Sequence, residues 1–163
     1  EAKALIKPAE ADAILSLPTS LYSITSSVFA DLAAQQTEPQ KQFRILLVED
    51  NLLNQELMLN MLMKHSKDIV VANNGEECLS ILKHRQDFDV ILMDIQMPVM
   101  DGLEAMKEIQ KDTMLSNIPV IAVTANALAD DVETYLTSGF VKHISKPFTS
   151  EQLISGIHSM VKN

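Results

Sequence analysis

From Phe43 onward, the sequence alternates five times between a short aliphatic or β-branched run and a longer segment of helical period. Parallel strands need a crossover connection, which is usually a helix, so this alternation predicts an α/β fold built on a parallel sheet. The predicted strands span residues 43–48, 68–72, 90–93, 120–124 and 141–145.

The predicted strands are nearly continuous apolar runs, which is typical of strands buried on both faces. Helices must then cover both sides of the sheet, so we expect a doubly wound α/β fold. In the first helical segment, Leu53, Leu57 and Met61, with Met58 and Leu62, form a stripe at helical spacing that we expect to face the core. The later helices are expected to begin near Gly102, near Asp130 and after Thr149.

The charge balance limits what this chain binds. With 13 basic and 22 acidic side chains, the net charge of −9 repels nucleic acid and anionic lipid, so we expect neither as a partner. No run of 18 apolar residues is present, which predicts no membrane contact by this segment. The single Cys78 excludes an intramolecular disulfide and favours a reducing, cytoplasmic location. The chain begins at Glu1 without a leader, which suggests a piece of a longer protein that is either soluble or membrane-anchored.

The first 42 residues differ in composition from the rest, being rich in Ala, Ser, Thr and Gln. Residues 1–36 are predicted to be mainly helical, with a break at Pro18, and to lack phosphate chemistry. Residues 37–42, which contain Pro39, are predicted to be a linker, and residues 43–163 the main domain.

Polar side chains follow four of the five predicted strands at the point where each strand ends. Glu49 and Asp50 follow the first strand, Asp94 follows the third, Thr124 ends the fourth, and Lys146 follows the fifth. The carboxyl ends of parallel strands meet at one edge of a sheet, where reactive groups gather. Three carboxylates brought together repel each other, and a hard divalent cation such as Mg²⁺ relieves that repulsion. The sequence therefore predicts a Mg²⁺ site at this edge.

The same residues suit the transfer of a phosphoryl group. Asp94 can serve as the nucleophile, while the ammonium group of Lys146 and the hydroxyl of Thr124 can bind phosphoryl oxygens. Taken singly, Asp94 could be a turn residue and Lys146 a solvated surface charge. Their joint placement at strand ends favours the chemical interpretation.

Five ordered stretches of the sequence resemble the receiver domain of two-component signalling, and most of all the receivers of hybrid sensor histidine kinases. They are ILLVEDNLLNQ at 45–55, ANNGE at 72–76, ILMDIQMPVMDG at 91–102, IPVIAVTAN at 118–126 and SKPF at 145–148. The resemblance covers about three quarters of the chain. It implies a flavodoxin-like sheet with strand order 2-1-3-4-5, and phosphoryl transfer from a histidine kinase domain or a histidine phosphotransfer domain.

The resemblance also implies a role for each site residue. Asp94 is the phosphoacceptor, and Mg²⁺ is bound by Asp50, Asp94 and the backbone carbonyl of Gln96, with Glu49 acting through water. Thr124 and Lys146 recognise the phosphoryl group, and Thr124 takes part in switching. The Lys146–Pro147 peptide bond is expected to be cis. His143 stands where many receivers have a switching Tyr or Phe, so we expect a modest conformational response.

Alternative interpretations remain at this stage. Residues 4–8, ALIKP, followed by a helical pattern, resemble the last strand and helix of a receiver, so residues 1–36 are either the tail of a preceding receiver-like domain or a plain interdomain helix. An aspartate-nucleophile phosphatase of the haloacid-dehalogenase type also has a strand-end Asp and Mg²⁺. That chemistry requires a second Asp two residues after the nucleophile, and Gln96 stands there instead. The third alternative is a receiver that only docks and takes up no phosphate.

Overall fold

The computed structural model describes residues Lys41–Ala125 and Leu128–Val161. The chain divides into two units, residues 1–40 and 41–163. The predicted helical segment 1–36 and most of the predicted linker 37–42 lie outside the described residues, so those two expectations stay predictions.

Five strands form the sheet of the second unit: β1 (Phe43–Val48), β2 (Ser66–Ala72), β3 (Val90–Asp94), β4 (Val120–Thr124) and β5 (Lys142–Ser145). All neighbouring pairs are parallel, and the order across the sheet is β2-β1-β3-β4-β5. The predicted α/β class and strand order 2-1-3-4-5 are therefore confirmed. The predicted strand bounds differ by at most two residues, since β2 begins at Ser66, β3 includes Asp94 and β5 begins at Lys142.

Five helices connect and follow the strands: α1 (Leu52–Leu62), α2 (Gly75–His84), α3 (Gly102–Lys111), α4 (Ala129–Thr137) and α5 (Ser150–Met160). Side-chain caps explain where several of them begin. Asn51 caps α1 by accepting from the amides of Leu53 and Asn54. Asp101 and Thr149 each form a reciprocal capping box at the start of α3 and α5. The predicted starts at Gly102 and after Thr149 are thus confirmed.

The sheet separates two apolar clusters, as a doubly wound fold requires. On one face, Leu46, Val48, Met93 and Ala122 pack with residues of α2, α3 and α4. On the other face, Ile45, Leu47, Val123 and Ile144 pack with residues of α1 and α5. Residues of one strand alternate between the two clusters because successive side chains point to opposite faces. Among the residues that the structure describes, no helix is long and apolar enough to cross a bilayer.

The prediction for α1 is wrong in part. Met58 and Leu62 are buried as expected, but Leu53 and Leu57 are 75% and 51% exposed. The helix carries apolar residues nearly all round, so its own periodicity does not select one face. Residues at i, i+3 and i+7 share a helical face, and Gln55, Met58 and Leu62 are the buried set. Leu53 and Leu57 lie on the opposite side, one turn apart and open to solvent.

Candidate functional site

The parallel register brings the predicted residues to one edge of the sheet. Val48 pairs with Met93, so the residues that come next, Glu49 and Asp94, lie at the same level where β1 and β3 end. Asp94 pairs with Val123, and Thr124 pairs with Ser145 immediately before Lys146. The amide of Lys146 donates to the carbonyl of Thr124 at 2.8 Å, and the Lys146–Pro147 bond is cis, as predicted.

Lys146 joins two of the carboxylates. Its Nζ lies 3.2 Å from Oε2 of Glu49 and 3.3 Å from Oδ2 of Asp94. Burial alone would lower the pKa of Lys146, but the charges of Asp94 and Glu49 outweigh it and raise that pKa. The ammonium group therefore stays protonated and holds a positive charge beside Asp94.

Three acidic residues form a cluster with the geometry of a cation site. One carboxylate oxygen from each of Glu49, Asp50 and Asp94 lies within 4.8 Å of the others. Glu49 and Asp94 are buried, whereas Asp50 is exposed. Oxygen donors at this spacing suit a hard cation that keeps part of its water shell, so the residues present fit Mg²⁺. Gln96 lies two residues beyond Asp94, and its carbonyl as a ligand stays a prediction.

Asp94 is held in an environment that disfavours its charged form. Burial and the nearby charge of Glu49 raise its pKa to about 6, although Lys146 and a backbone hydrogen bond at Gln96 act in the opposite direction. The single positive charge of Lys146 therefore does not neutralise the three carboxylates of the cluster. The remaining negative charge is a second reason for expecting a cation at this edge.

The backbone behind Asp94 is tightly packed. A Cβ on Gly102 would lie 2.5 Å from the carbonyl oxygen of Asp94, and the amide of Gly102 donates to the carbonyl of Ile95 at 2.8 Å. Only glycine lets the first turn of α3 approach the end of β3 this closely. The loop between Asp94 and Gly102 is therefore anchored at both ends.

Gln55 is a site-supporting residue that the sequence interpretation missed. Its amide nitrogen donates to the carbonyl of Glu49 at 2.6 Å and to Oδ1 of Asn73 at 2.9 Å. The side chain therefore ties the end of β1 to the loop after β2, where the carboxylate of Glu77 accepts from Asn73. The signal in the sequence was its spacing from Met58 and Leu62, which places it on the buried face of α1.

Tyr135 of α4 is a second such residue. Its hydroxyl lies 3.3 Å from Oγ1 of Thr124, and both side chains are buried. His143, the predicted switch residue, is half-buried on β5 and pairs with Ala122, two residues before Thr124. Its role in switching stays a prediction.

The metal-free protein is expected to become more stable when Asp94 is replaced by Asn. A raised pKa means that the folded protein holds a proton between about pH 4 and pH 6 that the unfolded chain releases. The contribution of Asp94 to the free energy of unfolding is therefore most favourable below about pH 4, and it is lost as the pH rises through 6. Asp94→Asn should raise the free energy of unfolding near pH 7 by up to roughly 3 kcal/mol, and the gain should shrink towards pH 4.

Urea unfolding at several pH values in the presence of a chelator measures this gain. Asp112→Asn is the matched control, because Asp112 is exposed and Asn can replace its capping hydrogen bonds to the amides of Met114 and Leu115. A gain at Asp94 that is the same at pH 4 and pH 7 would contradict the expectation.

Comparisons with known proteins give a consistent result. A family model described as the response regulator receiver domain matches residues 45–158. Hybrid signal transduction histidine kinase I of Dictyostelium discoideum is 37% identical over 144 residues, which are 84% of this chain and 8% of that protein. The polar-differentiation response regulator DivK of Brucella anthropi is 38% identical over 115 residues, which are 71% of this chain and 93% of that protein.

A solved structure resembles the described fold. The receiver domain of a sensor histidine kinase from Pseudomonas aeruginosa, crystallised with a magnesium ion in its active-site cleft, is 33% identical with a TM-score of 0.68. The match covers 74% of this chain and 98% of that one. Against the hybrid kinase of Dictyostelium and the two-component system protein A of Emericella nidulans, by contrast, the chain spans only 8% and 20% of the relative's length.

Proposed function

This chain belongs to the family of response regulator receiver domains of two-component signalling, and we propose that its Asp94 accepts a phosphoryl group from a phosphohistidine with the help of Mg²⁺. We also propose that the chain is a segment of a hybrid sensor histidine kinase. The observation that carries the proposal is the convergence of three charged side chains at one edge of the sheet. The carboxylates of Asp94 and Glu49 each have an oxygen within 3.3 Å of Lys146 Nζ.

The chemistry assigned to Asp94 is a nucleophilic displacement at phosphorus. A carboxylate oxygen of Asp94 attacks the phosphorus of phosphohistidine, a P–O bond forms, and the P–N bond breaks. The electron pair of that bond returns to the imidazole nitrogen of the donor. Lys146 is placed to neutralise charge on the transferred group because its Nζ already lies 3.3 Å from Asp94 Oδ2. The hydroxyl of Thr124, at the end of the neighbouring strand, is the proposed second donor.

The proposed cation is held by the carboxylates of Glu49, Asp50 and Asp94 and by the carbonyl of Gln96. When bound, Mg²⁺ supplies positive charge at the phosphoryl oxygens, which lowers the repulsion between the incoming group and the acidic cluster. Support comes from the oxygen spacing of at most 4.8 Å and from the raised pKa of Asp94. The magnesium ion in the active-site cleft of the similar Pseudomonas receiver also supports the proposed cation.

The proposed partner is a helical domain that presents a histidine. Helix α1 begins two residues after Asp50, and Leu53 and Leu57 expose their side chains on its outer face. Leu57 also lines a cavity of about 300 Å³ beside Lys146, Pro147 and Phe148. An exposed apolar patch next to a reactive site is typical of a protein-binding surface. We therefore place the docking of the histidine domain on the outer face of α1.

Replacing Leu53 or Leu57 by Ser is expected to slow phosphoryl transfer to or from a histidine phosphotransfer domain by about fivefold or more, as for an interface residue worth more than about 1 kcal/mol. Labelling of Asp94 by a small phosphodonor should be unchanged in the Leu53 variant, because Leu53 is 75% exposed and does not line the cavity beside Lys146. Met114→Ser is the control, since Met114 is 68% exposed in the α3–β4 connection at the opposite edge of the sheet. Equal transfer rates in the Leu53 and Met114 variants would contradict this docking face.

The test of the proposed function uses the whole chain. Incubation with acetyl phosphate and Mg²⁺, followed by intact-mass measurement, should show the addition of one phosphoryl group. Mixing the labelled protein with histidine phosphotransfer domains should then pass that group to histidine. A chain that takes up no phosphoryl group from either source would favour the docking-only alternative.

A further inference from the structure

Gln55 and Asn73 form a chain of amide hydrogen bonds beside the acidic cluster. The side-chain nitrogen of Gln55 donates to the carbonyl of Glu49 at 2.6 Å and to Oδ1 of Asn73 at 2.9 Å. Nδ2 of Asn73 in turn donates to Oε2 of Glu77 at 3.0 Å. The chain therefore runs from the first turn of α2, through the β2–α2 loop, to the residue that follows β1.

The acceptors at the two ends fix the orientation of both amides. A backbone carbonyl and a carboxylate accept hydrogen bonds and donate none. Gln55 must therefore present its nitrogen to the carbonyl of Glu49. The second proton of the same nitrogen reaches Asn73, which must present its oxygen and has its own nitrogen left for Glu77. Each amide has one arrangement that satisfies both of its neighbours.

Glu49 is held by the protein at each of its polar atoms. Its amide donates to the carbonyl of Ala72 at 3.0 Å. Oε1 accepts from the amide of Asn51 at 3.2 Å, and Oε2 accepts from Nζ of Lys146 at 3.2 Å. The bond from Gln55 to the carbonyl completes the set. Glu49 is thus fixed in the cluster through both its side chain and its backbone.

The carbonyl held by Gln55 belongs to the peptide unit that joins Glu49 to Asp50. A peptide unit is planar, so fixing its carbonyl also fixes the plane from which the chain continues into Asp50. Asp50 is exposed, and one of its carboxylate oxygens lies within 4.8 Å of oxygens of Glu49 and Asp94. Gln55 itself is 8% exposed on the buried face of α1. A buried amide therefore holds the backbone between two members of the acidic cluster.

We propose that Gln55 is a positioning residue for the cation site: its amide fixes the backbone that presents Glu49 and Asp50, and thereby sets the affinity for Mg²⁺. The inference rests on the proposed function, because it needs the cation to be bound by the acidic cluster. It also connects the β2–α2 loop to the site, since Asn73 accepts the second proton of the same amide. Removal of partners that orient metal ligands without touching the metal commonly lowers affinity about 10- to 100-fold.

Replacing Gln55 by Met tests the proposal, because Met has a similar length and lacks the amide. The Mg²⁺ affinity, measured by isothermal titration calorimetry with MgCl₂, should fall about tenfold, the lower end of the range for such partners. Labelling by acetyl phosphate should be slower at low Mg²⁺ and should return to the wild-type rate at saturating Mg²⁺, because Asp94 and Lys146 are unchanged. A role in folding alone would lower the free energy of unfolding in urea and leave the Mg²⁺ affinity of the folded protein unchanged.

Gln86→Met is the matched control. The side-chain nitrogen of Gln86 also donates to a backbone carbonyl, that of Leu82 at 3.2 Å, but it lies in the α2–β3 connection at the opposite edge of the sheet. Its Mg²⁺ affinity should equal that of the wild type. Asn73→Ala is a second variant, at an exposed position, and should weaken Mg²⁺ binding about threefold, as for the loss of one hydrogen bond. In the Gln55→Met background the same change should have no further effect.

Two results would overturn the positioning role and leave Asp94 as phosphoacceptor. One is an Mg²⁺ affinity in Gln55→Met equal to that of Gln86→Met. The other is an equal loss of affinity on Asn73→Ala with and without the Gln55 amide. A wild type that neither binds Mg²⁺ nor takes up label would instead defeat the proposed function itself.

Discussion

Asp94→Asn is expected to abolish phosphoryl labelling by both acetyl phosphate and phosphohistidine. Asn has nearly the same shape but lacks the anionic oxygen that must form the bond to phosphorus. Asp94 ends β3, is 7% exposed and lies 3.3 Å from the Lys146 ammonium. Glu49 and Asp50 are the other carboxylates of the cluster, but Glu49 is almost fully buried and Asp50 is proposed to bind the cation.

The measurement is intact mass after incubation, with hydroxylamine treatment to identify an acyl phosphate. Asp101→Asn is the matched control, because Asp101 lies on the same β3–α3 loop and Asn can cap α3 equally well. The control should be labelled like the wild type. Hydroxylamine-labile label that persists on Asp94→Asn would place the phosphoacceptor elsewhere.

Asp50→Asn is expected to weaken Mg²⁺ binding by at least about tenfold, since loss of even an outer partner of a metal site costs 10- to 100-fold. The substitution removes one of three carboxylates whose oxygens lie within 4.8 Å of each other. Asp50 is exposed, so the change leaves no cavity, whereas Glu49→Gln would also disturb the ion pair with Lys146. Asp50→Asn is therefore the cleaner variant.

Isothermal titration calorimetry with MgCl₂ measures this loss, and Asp101→Asn again serves as the control. Labelling by acetyl phosphate should fall in parallel with Mg²⁺ affinity and recover partly at high Mg²⁺. An unchanged affinity in Asp50→Asn would remove this residue from the proposed ligand set, and with it the assignment of the cation to this sheet edge.

The order of residue types along the chain is enough to predict the sheet and the polar residues at its reactive edge. Short apolar runs separated by helical segments specify parallel strands, and the polar residues that directly follow those runs lie at the same edge in every such sheet. Glu49, Asp94, Thr124 and Lys146 could therefore be placed together before any coordinates, and the structure brings them together. This inference is secure because it depends only on chain direction and strand ends.

The side chains that support that edge follow from how the helices pack against the sheet. The apolar residues of α1 extend nearly all round the helix, so packing against the sheet chose Met58 and Leu62 for the core and left Leu53 and Leu57 outside. Gln55 is buried because its amide finds the carbonyl of Glu49 and the side chain of Asn73. The meeting of Tyr135 with Thr124 depends on the position of α4 against the sheet. Local periodicity specifies elements and strand ends, whereas the rotation and docking of a helix follow from the sum of its contacts, which no short stretch of sequence contains.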